Sequence, residues 1–277
     1  MKQAESKFRG AGGMELYSQS WQPDDAARGA LLLVHGFGEH TGRYNYLVDY
    51  LIPRGYAVHG FDLRGHGRSP GPRGHINQWS ELRDDVRAFV GMVTAQQPTT
   101  PYFLFGHSFG GLIALNYALQ FPEGLHGVIA SAPLLAQAKL SPILVMLSRV
   151  LQRIKPDFPV NTKLDGSTIS RDPAEIQRYV TDPLVHGIGT PRLAQEIDSA
   201  IVWTQTHAAE LRLPLLLYHG GADRLVPIVG SRTFYDHVTF PDKRWIEYAG
   251  GYHESHNDLD RATVFTNLVS WLEEHLR

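Results

Sequence analysis

The chain contains no cysteine in 277 residues. Disulfides, thiol nucleophiles and cysteine-ligated metals are excluded outright. The compartment is left open by this, because a cysteine-free protein tolerates either redox state. Long apolar runs are also missing: no stretch reaches the roughly 20 apolar residues that a membrane-spanning helix needs. No basic block occurs, and 26 Lys and Arg against 28 Asp and Glu leave a formal net charge of −2. Nucleic acid is therefore not expected as a partner. The segment Met1 to Gly13 is polar, without the apolar core of a signal peptide, so a cytoplasmic protein is expected. Internal repeats and low-complexity tracts are absent from the sequence.

Hydrophobic residues make up 43% of the chain and charged residues 19%, which supports a packed core in one large α/β domain or two small ones. An antiparallel hairpin is expected from Glu5–Arg9 and Met14–Trp21 around the turn Gly10–Gly13. Ala30–Val34 and Tyr56–Phe61 are apolar runs suited to strands buried on both faces. Further strands are expected at Tyr102–Phe105, Gly127–Ser131, Leu215–His219 and Arg244–Tyr248. Tyr44–Ile52 has a helical pattern ended by Pro53 and Gly55. Trp79–Val93 places Leu82, Val86, Phe89, Val90 and Val93 on one face, with Ser80 as the expected N-cap, and Arg261–Leu276 reads as the last helix. Alternating strands and helices predict an α/β fold with a mostly parallel sheet, helices on both faces, and a site beyond the carboxyl ends of the strands. From Leu134 to Leu211 the alternation stops. A helix over Leu140–Ile154, apolar nearly all round, and shorter helices near Ala174–Tyr179 and Arg192–Thr206 suggest an inserted helical cap. The expected division is thus a core of residues 1–133 and 212–277 with a cap over 134–211.

Gly106-His107-Ser108-Phe109-Gly110 follows the strand at Tyr102–Phe105 and opens a helical pattern. Strand, tight turn and helix around G-x-S-x-G form a nucleophile elbow, in which only small residues fit two positions either side of the serine. A serine hydroxyl needs a base, and the base needs an orienting acid. In this fold the order is serine, acid, histidine. Asp223 and His253 each follow a strand and come in that order, so Ser108, Asp223 and His253 are the expected catalytic residues. The oxyanion hole is expected from the backbone N–H groups of Phe37, in the loop after Ala30–Val34, and Phe109, at the start of a helix.

Rivals exist for each role. Asp62 follows a strand but precedes the serine, and is read as shaping the Arg64–Ser69 loop; Asp258 and Glu247 are less well placed. His256 competes with His253, which is favoured because it comes first after its strand. Gly36-x-Gly38 imitates part of a dinucleotide fingerprint, but Thr41 stands at the third glycine position and no acidic residue ends the second strand at the usual distance of about 20 residues. His253-Glu254-Ser255-His256 is not H-E-x-x-H, so no metal site and no cofactor are expected.

Taken together, the segments His35–Tyr44, Asp62–Ser69 with Arg73-Gly74-His75, Gly106–Gly111, Ala222–Leu225 and Tyr252-His253 resemble monoacylglycerol lipase and its bacterial lysophospholipase-like relatives. The resemblance extends to Ser170–Pro173, Tyr179 and Asp182–Leu184 in the cap. It implies an α/β-hydrolase fold and a serine esterase that cleaves monoacylglycerols to glycerol and fatty acid through an acyl-enzyme, without a cofactor. Ser108, Asp223 and His253 match the family triad, and Phe37 and Phe109 its oxyanion hole. Glu39, Arg43 and His256 match polar positions near the released glycerol, while a salt bridge tying down a loop is the plainer reading of Glu39 and Arg43. Phe109 stands where the family usually has methionine, and Phe37 where a small or variable residue is common. Both should reshape the acyl pocket.

Two other readings remain open. One is a broader carboxylesterase or lysophospholipase, with Arg43, Arg64 and Arg68 available for a phosphorylated head group; the other is a non-catalytic small-molecule receptor. The apolar cap helix is read as the roof of the acyl tunnel, with transient docking on a membrane surface as the alternative. Oligomeric state is not legible in the sequence.

Overall fold

The computed structural model describes residues 1–137, 151, 153–162 and 165–276. Strands β1 (Lys2–Arg9) and β2 (Glu15–Gln22) form the expected hairpin, and β3 (Gly29–Val34), β4 (Tyr56–Phe61), β5 (Tyr102–His107) and β6 (Gly127–Ser131) follow. After two short strands, β7 (Val160–Asn161) and β8 (Ile188–Gly189), the chain returns with β9 (Leu215–Gly220) and β10 (Lys243–Tyr248). Eight strands make one sheet in the order β1-β2-β4-β3-β5-β6-β9-β10. β2 is antiparallel to both neighbours and the remaining pairs are parallel.

The interior strands are buried at every position because helices cover both faces. Side chains of a strand alternate between faces, and β3 shows it. Its Ala30, Leu32 and Val34 join the cluster built with α2 (Ser80–Gln96) and α3 (Phe109–Gln120). Its Leu31 and Leu33 join the other, with α1 (Asn45–Leu51) and the last helix. Between β6 and β9 run α4 (Pro173–Thr181) and α5 (Pro191–Thr206); α6 (Ile228–His237) links β9 to β10, and α7 (Arg261–Glu274) ends the chain.

Two expectations fare differently. Ser80 is the first helical residue of α2 rather than its cap, and the cap position falls to Trp79. Trp79 is fixed from elsewhere: its N–H donates to Glu196 of α5 and its indole to Asn116 of α3. The apolar helix expected over Leu140–Ile154 lies mostly outside the described residues. Among the described residues, no helix is long and apolar enough to cross a membrane. The segment between β6 and β9 is stitched to the sheet's loops by main-chain bonds: His186 N–H donates to Gly38 C=O (2.8 Å), and Glu254 N–H to Ile169 C=O (2.8 Å).

Helix α3 packs very closely on the sheet. A Cβ on Gly110 would overlap the carbonyl oxygens of Val34 and His35, and one on Gly106 would overlap the Gly110 carbonyl. Those neighbours are backbone and cannot rotate away. At Gly91, on the exposed side of α2, a methyl group would meet nothing within 4 Å. Gly110→Ala should therefore destabilise by about 1–3 kcal/mol or more, whereas Gly91→Ala should stabilise by roughly 0.5–1 kcal/mol. Urea unfolding with an unchanged m-value would report both directly.

Candidate active site

Ser108 sits between β5 and α3 with φ 52° and ψ −116°. A non-glycine residue in this region costs about 1–3 kcal/mol and persists only where its surroundings over-determine it. They do so here: Ser108 N–H donates to Ser131 C=O, and Ser108 C=O accepts from Leu112 and Leu134 N–H groups. The glycines at 106 and 110 allow the turn to close. The strand, tight turn and helix expected around G-x-S-x-G thus have their geometric basis in these contacts.

Asp223 lies just after β9 and His253 just after β10. His253 Nδ1–H donates to Asp223 Oδ2 at 2.6 Å. The carboxylate can only accept, so Nδ1 carries the proton and Nε2 keeps its lone pair. The other Asp223 oxygen accepts from the N–H groups of Leu225 (2.8 Å) and Val226 (3.0 Å). Burial alone would raise the Asp223 carboxyl; the charge of His253 and these donors instead hold it far below the ordinary carboxylate range. Burial alone would lower His253; Asp223, with Glu254 and Glu39 beyond it, raises the imidazole above its ordinary value.

Ser108 and His253 line one cavity of about 770 Å³, together with Phe37, His107, Glu39 and Glu254. The Phe37 ring meets the Phe109 ring edge-on at 6.3 Å between centroids. Phe37 lines the cavity, while the Phe109 side chain is buried against Trp79. Phe109 therefore bears on the pocket shape from behind the wall, where Phe37, Leu193 and Ile197 belong to the same apolar cluster. The backbone of Phe109 opens α3, at the positive end of its dipole.

The rivals fall elsewhere. Asp62 accepts from Thr41 and from Arg68 N–H, bracing the loop as expected. Asp258 accepts from Tyr252 N–H and from Arg171, and Glu247 pairs with Arg232 at the surface. His256 is stacked on Tyr44 at 4.7 Å, and burial pushes its imidazole down to about 4. Among the described residues, no carboxylate bonds either of its ring nitrogens. His107, whose ring is 4.8 Å from that of His253, is likewise held neutral by burial and by the neighbouring histidines.

Arg43 makes a buried bridge between two carboxylates. Its Nη1 is 2.9 Å from Glu39 Oε2 and 2.7 Å from Glu254 Oε1, and its Nη2 is 2.7 Å from Glu254 Oε2. Tyr44 O–H and Gly36 N–H donate to the other Glu39 oxygen. The guanidinium also lies over the Tyr179 ring at 4.7 Å. Glu39 and Glu254 reach the cavity wall; Arg43 and His256 are buried behind it. Glu254 is not singled out by sequence reasoning, where it figures only inside a failed metal motif. Its position directly after His253 is the available signal.

The family described as "Serine aminopeptidase, S33" matches residues 25–260. The monoacylglycerol lipase of Mycolicibacterium smegmatis is 37% identical over 99% of this chain and 98% of its own length. Phospholipase YtpA of Bacillus subtilis is 31% identical over 93% of this chain and 99% of its own. Among solved structures, Paleococcus ferrophilus monoacylglycerol lipase superimposes with a TM-score of 0.86 at 36% identity, covering 95% of this chain and all (100%) of that one.

Removing Arg43 would leave two carboxylates buried without their cation. Arg43→Met should cost about 3–5 kcal/mol at neutral pH. In the intact protein Arg43 outweighs burial and depresses the Glu254 carboxyl, so its contribution is present above the unfolded pKa and lost as pH falls through the folded one. In the variant, burial raises that carboxyl instead. The stability gap between the two proteins should therefore narrow as pH falls from 7 toward 4, measured by denaturant titration at several pH values.

Proposed function

This chain belongs to the serine aminopeptidase S33 family, and on that premise we propose that it cleaves monoacylglycerols to glycerol and fatty acid, with Ser108 as nucleophile, His253 as base and Asp223 as orienting acid. It is a serine hydrolase of the α/β-hydrolase fold. The observation that carries the assignment of roles is the 2.6 Å bond from His253 to a carboxylate that is itself fully bonded, on the wall that also holds Ser108. His253 Nε2 takes the hydroxyl proton as Ser108 Oγ attacks the ester carbonyl. The oxyanion is received by the N–H groups of Phe37 and Phe109. The intermediate collapses, His253 returns its proton to the leaving glycerol oxygen, and the acyl group stays on Ser108. Water, deprotonated by His253, then releases the fatty acid. Asp223 stays ionised throughout and stabilises the imidazolium.

Residues 134–211 act as the cap. Leu151, Val160, Leu193 and Ile197 supply apolar wall to the same cavity, which suits an acyl chain. The head-group end favours a neutral alcohol over a phosphate. Among the described residues, the charged residues of the wall are Glu39 and Glu254, alongside His107 and His253. The arginines available for a phosphate are committed elsewhere: Arg43 to both glutamates, Arg64 to Asp85 and Glu81, Arg68 to Glu5 at the surface. Glycerol hydroxyls can donate to carboxylate oxygens, whereas an anionic head group meets like charge.

Monoacylglycerol should be turned over with kcat/KM more than about tenfold above an anionic lysophospholipid of the same acyl chain, a gap of some 1.4 kcal/mol. Ser108→Ala should abolish both, by a factor on the order of 10⁴ or more. Because His253 must be neutral to act as base, kcat/KM should fall as pH drops, with a midpoint above the ordinary histidine value of about 6.5. Preference for the lysolipid would make the enzyme a phospholipase, and binding without turnover would make it a receptor.

A further inference from the structure

Asp223 is held by two histidines. Its Oδ2, which accepts from His253, lies 3.0 Å from Nε2 of His219, a residue with no exposed surface at the end of β9. The same Nε2 is 3.2 Å from the carbonyl oxygen of Val226. Both neighbours are acceptors, so Nε2 must carry the proton of a neutral ring. Nδ1 then has only a lone pair, and it faces the hydroxyl of Ser231 at 2.9 Å. Ser231, fully buried on α6, is left to donate. The bonds thus run in one direction, from Ser231 O–H to His219 Nδ1, and from His219 Nε2–H to Asp223. Val226 closes the ring, since its N–H donates to Asp223 Oδ1 while its carbonyl accepts from His219.

We propose that His219 is a positioning residue for the hydrolytic reaction, which orients the Asp223 carboxylate toward His253 and shares the negative charge on Oδ2. This rests on the reading of Ser108, Asp223 and His253 given above. The carboxylate follows a turn outside the strand, where its two oxygens are held by separate partners. Donors on Oδ1 fix one end; His219 fixes the oxygen that His253 uses. By drawing charge from Oδ2, His219 also tempers the basicity that Asp223 confers on His253. A histidine that only packs there would not have this second effect. The other groups facing His253 are His107, Glu254 and Glu39, with Arg43 and His256 behind them, and none of these contacts His219.

The test starts from wild-type ester hydrolysis that is lost in Ser108→Ala; without that, the underlying reading fails and His219 is not in question. His219→Leu removes the donor. It should lower kcat by about 10- to 100-fold, the usual scale for hydrogen-bond partners behind a reactive group, with KM within about twofold. It should also move the acidic limb of the kcat/KM profile to higher pH, because the undivided Oδ2 charge makes His253 more basic. His219→Gln, whose amide nitrogen can reach the place of Nε2, should restore most of kcat and return the limb toward wild type. A reduced melting temperature with unchanged kcat and pH profile would overturn the proposal, as would a glutamine variant no better than leucine. Should His219→Leu not fold, the wild-type protein labelled with ¹⁵N-histidine decides: the Nε2–H tautomer of His219 is required, and the Nδ1–H tautomer would refute the assignment.

Discussion

Helix α3 approaches the end of β3 so closely that no atom beyond hydrogen fits on the Cα of Gly110. Much of the site depends on this contact. It sets the start of α3, and therefore the amide of Phe109, against the loop that carries Phe37. It forces Ser108 into its positive-φ turn, since β5 must end and α3 begin within a single residue. It also spends almost all of α3 on burial: ten of its twelve residues are in the core. Ser108 is consequently carried at the head of a deeply buried helix, which suits the nucleophile proposed here, since it must meet its base in a fixed geometry.

Around that fixed point, burial and carboxylates sort chemically identical side chains. Burial works to lower the imidazoles of His107, His256 and His253 alike. His107 and His256 have no carboxylate bonded to the ring among the described residues and stay neutral. His253 has one, and its imidazole rises instead. The glutamates are sorted by Arg43, which keeps Glu254 ionised at the wall while screening part of its charge. Function is therefore distributed by partners more than by residue type.

The sheet was legible because it depends on local signals, apolar runs and turns at strand ends; the proposed order Ser108, Asp223, His253 rests on signals of the same kind, with glycines flanking the serine. Ser80 shows the limit, since a capping pattern was overridden by contacts of Trp79 with Asn116 and Glu196, far along the chain. Arg43 and Glu254 are separated by 211 positions and meet only because the segments that follow β3 and β10 come together, although the two strands are not neighbours in the sheet. No periodicity links them. His219 stood in plain view four residues before Asp223, but strand alternation gives it only an inward direction and says nothing of its tautomer. The helix expected over Leu140–Ile154 lies mostly outside the described residues.

The segment between β6 and β9 is joined to the Phe37 loop and to the His253 loop by bonds between peptide groups, His186 to Gly38 and Glu254 to Ile169. Peptide groups are the same at every position, so these joints do not read the identity of the side chains around them. The apolar wall carried by that segment can therefore accumulate substitutions without loosening its attachment to either loop. On the reading proposed above, acyl-chain preference and reaction chemistry are thereby separable traits. A designer exchanging this segment has these two backbone bonds to preserve, together with the polar joints of Asp182 to His40 and of Ser170 and Arg171 to Asn257 and Asp258.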